Sequence, residues 1–458
     1  MIPVGDVCGL QGVVRVPGDK SVAHRALFFA AQAQGKTRIV GLPDGDDVST
    51  TLRVIESLGA RISDELDTDG TRIVVVDGWG ADGPLPHVTP DGMITLDCGN
   101  SGTTARFLLG LLAGYPGKVS IDGDASLRQR PMQRLLDPLR RMGLSCASDA
   151  LPAVVRGTRD VQPISLQTPV ASAQMKTALM FAAMQAHGES RIAEPAFSRD
   201  HTERLAETFG ISVEKLVDGI GIAIRGPQTS RAPKEPVRIP GDPSSAAFWI
   251  AAALCVPNSD LTIEDVCINP TRMGLVKALQ SMGATISVEQ TGVFGQEPVG
   301  NIHVAYTERL APCATSAGDS ATLIDEMPVL ALVCALAQGK SRIANAGELR
   351  YKECDRLDAI IAVLAACGAH AEAIDGDGRN AGIDLAICGN GALRVPDGIT
   401  ASAYRDHRIA MMWAVAAAAS HACVHLATEE IEAIAVSYPG FLDEFSHRLG
   451  YAPIVCIE

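Results

Sequence analysis

The sequence predicts an α/β (α+β) protein of two similar domains, each built from three repeated helix–strand units around buried helices. Three observations carry that prediction. The chain has 458 residues, too many for one ordinary hydrophobic core. The stretch VRVPGDKSVAHRALFFAA from Val14 is matched by VRIPGDPSSAAFWIAAAL from Val237, an offset of 223 residues, which is the mark of a duplication. Within each half a shorter period recurs, giving six units in all.

The units follow in order. The first opens on VPGDKSVAHRALFFAAQ, continues to TRIV and ends on a helix closing with ESLGARI. The second runs SGTTARFLLGLLAG, VSIDG, RPMQRLLDPLRRMG, and the third SAQMKTALMFAAMQAHG, SRIAE, DHTERLAETFG. The fourth runs PSSAAFWIAAAL, LTIE, then a helix closing with QSMGATI. The fifth runs IDEMPVLALVCALAQG, SRIAN, KECDRLDAIIAVLAACGA, and the sixth YRDHRIAMMWAVAAAAS, CVHLA, YPGFLDEFSHRLG. Each is a polar lead-in, an apolar helix, a glycine stop, a β-branched strand, a polar loop and an amphipathic helix. Helices apolar on nearly every side belong inside. DELDTDGTRIVVV and AIDGDGRNAGIDLAI read as hairpins between units. Residues 1–19 and 238–458 are expected to form one discontinuous domain and residues 20–237 the other.

Composition narrows the class. The chain is 47% hydrophobic, 20% charged and 4% aromatic, with a net charge of −14, which opposes nonspecific nucleic-acid binding. The longest apolar run, residues 409–419 (IAMMWAVAAAA), is roughly half of the ~20 residues a membrane span needs. MIPVGDVCGLQG shows no basic n-region or apolar h-region, so no leader is expected. Twelve scattered cysteines without a CxxC pair suggest free thiols and a cytoplasmic location. There is no GxxxxGK[ST] loop, no GxGxxG after a strand and no GxSxG elbow. The histidines show no HExxH spacing and DGDGRN lacks the glutamate of a calcium loop, so no metal is expected.

Residues that contribute little to folding gather at helix starts. They are Lys20, Ser21 and Arg25; Asn100, Ser101 and Gly102; Arg128 and Arg130; Ser172 and Gln174; Ser198, Arg199, Asp200 and His201. The last two units add Asp325 and Glu326; Arg350, Lys352, Glu353, Asp355 and Arg356; and Arg405, Asp406, His407 and Arg408. The fourth unit is bare. A helix N-terminus already carries partial positive charge, so cations there disfavour the isolated helix. They make sense when anionic groups arrive from solution. Lys20, Arg25, Arg130, Arg199, Lys352, Arg356 and Arg408 could neutralise two phosphates, each about −1.5 to −2, together with carboxylates. Local alternatives exist: a capping serine in GDKS, a charged helix face in KECDR, capping clusters at DHR and at Asp325.

PGDKSxxHR, GNSGTTxR, QRPM, SRDHTE, IDExP, RxKExDR and DHRIAM occur in that order. In this the chain resembles the 5-enolpyruvylshikimate-3-phosphate synthase family over nearly its whole length. The resemblance implies an inside-out barrel of the enolpyruvyl transferase kind, its two domains joined by a two-crossing hinge with the active site in the cleft between them. It implies transfer of the enolpyruvyl group of phosphoenolpyruvate to the 5-hydroxyl of 3-phosphoshikimate, without cofactor or metal, in a monomer. Asp325 is then the base and Glu353 the acid, with Lys20 close to both substrates and His407 sharing in proton handling. Lys20, Gly102, Arg130, Gln174, Arg356 and Arg408 would hold phosphoenolpyruvate. Lys20, Ser21, Arg25, Ser172, Ala173, Gln174, Ser198, Arg199, Asp325 and Lys352 would hold 3-phosphoshikimate.

Some positions depart from the family pattern. Val436 stands where lysine is frequent before [ST][FY]P, Val22 and Ala23 replace a frequent Ile-Ser, and Arg405 and Tyr351 are unusual. Two other readings stay open. One is the related transferase acting on UDP-N-acetylglucosamine, which carries a cysteine in the loop before its RP; GDASLRQRPM has none. The other is a non-catalytic polyanion-binding homologue, against which Asp325 and Glu353 both argue.

Overall fold

The computed structural model describes residues 9–68, 70–84, 92–216, 220–376 and 382–457. The opening residues 1–8, on which the expectation of no leader falls, and residues 377–381, on which the hairpin turn expected at DGDGRN falls, lie outside them. Two compact units are present: residues 18–240 with 293–297, and residues through Pro17 with 241–292 and 298–458. Together they are a mixed α/β architecture of six small sheets.

In the unit of residues 18–240, three buried helices, Lys20–Gln32, Gly102–Leu111 and Ala173–Ala183, each precede a strand. Asp19 starts the first by accepting a hydrogen bond from the Val22 N–H at 3.0 Å, so the cap is the aspartate and not the serine of GDKS. Ser101 and Ser172 cap the other two. The helices meet on aromatic rings: Phe28 lies 5.5 Å from Phe107 and 5.7 Å from Phe181 between centroids, favourable edge and offset geometries. Gly110 sets their spacing, because a Cβ there would fall 2.0 Å from the Ala178 carbonyl oxygen. Each helix feeds a four-stranded sheet. Val237–Arg238 pairs parallel with Lys36–Val40, Met93–Asp97 with Lys118–Asp122, and Ser165–Gln167 with Gly188–Ala193. The remaining pairings are antiparallel. The hairpin read in DELDTDGTRIVVV forms as Arg61–Leu66 against Arg72–Asp77.

The other unit repeats the plan with helices Pro243–Cys255, Met327–Leu336 and His407–Ala419. Its ring cluster is Trp249 with Phe441 and Phe445, and the Trp249 indole donates to the Tyr438 hydroxyl at 3.1 Å. Gln11–Arg15 lies parallel to Asp260–Cys267, the strand of the fourth repeat. His370–Asp375 and Ile383–Asn390, both within AIDGDGRNAGIDLAI and its flanks, pair antiparallel. The sixth repeat departs from the plan. After Val424–Ala427 come two helices, and Ile454–Ile457 then pairs parallel with that strand. A parallel return needs such a crossover, so no hairpin forms there.

Among the described residues, no helix is long and apolar enough to cross a membrane, and the cysteines carry no disulfide. His421 and His425 are four apart, but the first sits in a left-handed turn and the second on a strand, not on one helix face.

Candidate active-site residues

In the unit of residues 18–240 the lead-ins of three repeats carry the polar side chains. Lys20, the first residue of its helix, is 2.7 Å from Asp47 Oδ2, and both side chains are mostly buried. Ser21 Oγ accepts from Arg199 at 3.2 Å. Arg25 lies deeper, 2% exposed. It donates to the Ser21 carbonyl (2.8 Å), Thr202 Oγ1 (2.7 Å) and Thr177 Oγ1 (3.0 Å), tying the first repeat to the third. Burial pulls its pKa down to about 10, against the opposing pull of Glu203.

Gly102 begins its helix beside two arginines: a Cβ would stand 2.7 Å from Arg106 Nη1 and 3.1 Å from Arg130 Nη1. Arg130 donates to Asn100 Oδ1 at 2.7 Å. One expectation is corrected here. Arg128 and Arg130 do not open a helix; Arg128 lies in the last turn of Ala125–Gln129 and Arg130 is its C-cap. There the carbonyl end of the dipole favours a cation. Gln174 is held at both ends, accepting from Arg106 at 2.9 Å and donating to Thr103 Oγ1 at 2.9 Å. Ala173 opens that helix behind the cap Ser172. Ser198 and Arg199 lie in the loop before His201–Thr208.

In the other unit one acidic and basic knot gathers five of the six expected residues. Asp325 Oδ1 is 3.2 Å from Lys352 Nζ and 3.8 Å from Arg356 Nη1, and its backbone carbonyl accepts from Arg408 at 2.7 Å. The capping alternative for Asp325 fails, because the N-cap of Met327–Leu336 is Glu326 and its side chain makes no capping bond. Lys352 and Glu353 precede the helix Arg356–Ala366, whose cap is Asp355, so KECDR is not a helix face. Glu353 nevertheless pairs closely with Arg356. Arg356 is 1% exposed and its Nε donates to Asp406 Oδ2 at 2.8 Å. Burial alone would weaken its proton binding, but Asp406, Glu353 and Asp325 outweigh that and raise its pKa. Asp406 also caps His407–Ala419 by accepting from the Arg408 N–H at 2.9 Å. His407 is the first residue of that helix and buried. Arg405 is exposed, 3.6 Å from Glu429, and Tyr351 is also exposed.

Sequence reasoning missed Asp47, Arg106, Lys176 and Glu194. Glu194 accepts from the Ser172 N–H at 2.8 Å and from Ser198 Oγ at 2.6 Å, with Lys176 3.0 Å away. A lone lysine inside SAQMKTALMFAA was the one available signal, since lysine is seldom buried without a partner.

Comparison with known proteins identifies the family. The family model described as EPSP synthase (3-phosphoshikimate 1-carboxyvinyltransferase) matches residues 6–445. The 3-phosphoshikimate 1-carboxyvinyltransferase of Gluconobacter oxydans is 43% identical over 95% of this chain and 94% of its own. That of Acidiphilium cryptum is 42% identical over 94% and 93%. EPSP synthase from Acinetobacter baumannii superposes with a TM-score of 0.77 at 32% identity, covering 96% of each chain. The enolpyruvyl transferase NikO from Streptomyces tendae, at 19% identity and a TM-score of 0.72 over 97% of this chain and 95% of that one, shares the fold. The chain therefore belongs to the EPSP synthase (3-phosphoshikimate 1-carboxyvinyltransferase) family.

Proposed function

We propose that this chain transfers the enolpyruvyl group of phosphoenolpyruvate to the 5-hydroxyl of 3-phosphoshikimate by addition and elimination. The single observation that supports the residue roles best is the position of Asp325 between Lys352 and Arg356, with Glu353 on the same arginine. The reaction needs one group to take the hydroxyl proton and another to give a proton to the enol methylene. Asp325 takes the first role and Glu353 the second. The attacking oxygen then bonds to the former enol carbon, giving a tetrahedral adduct. Loss of phosphate and of a methyl proton restores the double bond.

Arg356, Arg408, Lys20, Arg130, Gln174 and the open backbone of Gly102 hold phosphoenolpyruvate in this reading. Ser21, Arg25, Ser172, Ala173, Gln174, Ser198, Arg199 and Lys352 hold 3-phosphoshikimate, with Lys20 and Asp325 reaching it as well. Fixed positive charge also stabilises the charge that develops on the way to the adduct. His407 takes part in proton handling. The proposal extends to the architecture: an inside-out barrel of two domains hinged at the two chain crossings, whose residues act on one bound substrate pair in a monomeric cytoplasmic enzyme.

The test is phosphate release from phosphoenolpyruvate, with 3-phosphoshikimate or UDP-N-acetylglucosamine offered as acceptor in separate reactions. Release with 3-phosphoshikimate alone is expected. Release only with the nucleotide sugar, or with neither, overturns the proposal.

A further inference from the structure

Beneath Ser172 and Ser198 lies a buried charge triad. Lys176 Nζ stands 3.0 Å from Glu194 Oε2 and 2.8 Å from Glu203 Oε1, and all three side chains are at least nine-tenths buried. Burial alone would discharge the ammonium, but Glu203 and Glu194 outweigh it and hold the lysine pKa above its ordinary value. Glu194 meanwhile accepts from two residues assigned to 3-phosphoshikimate, through the Ser172 N–H and the Ser198 hydroxyl.

That geometry contains a conflict. A serine hydroxyl has one proton, and the Ser198 proton points at Glu194 Oε2. A phosphate reaching Ser198 needs the same proton. If the hydroxyl turns to the ligand, a buried carboxylate oxygen loses a donor, which is costly unless another is in place. Lys176 is already on that oxygen.

We propose that Glu194 is a positioning residue for the 3-phosphate seat and that Lys176 is the donor that lets it release Ser198 to the incoming phosphate. The inference rests on the substrate reading above. In the empty protein Glu194 fixes both serine lead-ins. On binding, the Ser198 proton turns to the ligand while Lys176 and the Ser172 N–H keep Glu194 satisfied. Without the ammonium, Glu194 and the phosphate compete for one proton, and the phosphate is bound more weakly.

Calorimetric binding of 3-phosphoshikimate and of unphosphorylated shikimate tests this. Lys176→Met alone leaves two buried carboxylates without their cation, which can cost the fold. The working variant is therefore Lys176→Met in a Glu203→Gln background, compared with Glu203→Gln alone. Its affinity for 3-phosphoshikimate should fall about tenfold, the scale of one charge-assisted hydrogen bond, while shikimate affinity stays within about twofold. Lys176→Arg should restore most of the loss. In a Ser198→Ala background the effect of Lys176→Met should disappear, because no proton remains to compete for. Equal weakening of both ligands, or an undiminished effect without Ser198, overturns the inference. Failure of the unaltered protein to prefer 3-phosphoshikimate over shikimate would instead overturn the substrate reading, and this inference with it.

Discussion

Two lead-ins with the same PGD sequence make an informative pair. Asp19 caps Lys20–Gln32 and Asp242 caps Pro243–Cys255, the latter by accepting from the Ser244 N–H at 2.7 Å. After the cap they part. In the first repeat a lysine occupies the opening helical position and faces Asp47. In the fourth a proline does, where a missing N–H costs nothing. Asp242 turns instead to Arg272 at 2.9 Å, which is also 3.8 Å from Glu326, and Ser244 donates to Glu326. The fourth lead-in is thus a closed internal network, whereas the first presents a cation. Duplication kept the aspartate cap and released the next residue to a different task in each copy.

The contrast can be broken in steps. The largest effects should fall on the acidic pair beyond the fourth repeat. Asp325→Ala and Glu353→Gln should each lower kcat by about a hundred- to ten-thousandfold, with the circular dichroism spectrum unchanged; near-normal turnover in either would remove the role given to it. Asp242→Asn keeps a capping side chain but takes the carboxylate at 2.9 Å away from buried Arg272, leaving Glu326 at 3.8 Å, so it should cost about 3 kcal/mol in urea unfolding. If its only effect is on turnover, the fourth lead-in is not the inert copy.

A smaller effect concerns His24, one helical turn beyond Lys20. Its Nδ1 is 2.7 Å from Thr51 Oγ1, and burial drives its pKa down to about 3, with Asp47 pulling weakly the other way. The folded protein therefore keeps the ring neutral while the unfolded chain protonates it near pH 6.5. Stability contributed by the neutral ring is whole above pH 6.5 and is lost as pH falls toward 3, by up to ~1.4 kcal/mol per pH unit. Unfolding curves between pH 7 and 4 should show that slope, and His24→Asn should flatten it. Smallest is Gly102→Ala. The new methyl crowds two guanidinium ends, which can move, and touches Leu127 Cδ1 at an ordinary 3.7 Å, so the fold should hold while the KM for phosphoenolpyruvate rises about tenfold, the equivalent of ~1.4 kcal/mol. An unchanged KM would mean that the ligand backbone approach lies elsewhere.

The periodic features were legible in the sequence. Six apolar helices each followed by a strand could be read from spacing alone, because burial on every side leaves a run no polar face can interrupt. The lead-in side chains stood out for the converse reason, as charges placed where the helix dipole opposes them. What could not be read was pairing over distance. Arg130 looks like a helix start until the short helix Ala125–Gln129 is seen to end on it. Arg25 looks like a surface cation until Thr177 and Thr202 close over it. Lys176 and Glu194 are 18 residues apart on different elements, and no local pattern joins them. The parallel return of Ile454–Ile457 was equally hidden, since four short apolar residues near the chain's end carry no signal of which neighbour they join.

That last strand has a practical consequence. It is the outermost member of its sheet, beside Val424–Ala427. Trimming the polypeptide before Ile454 would strip away the strand that pairs with that flank and leave a row of unmet amides inviting self-association. A purification handle appended after the strand spares it, whereas a shortened expression product should be recovered as aggregate.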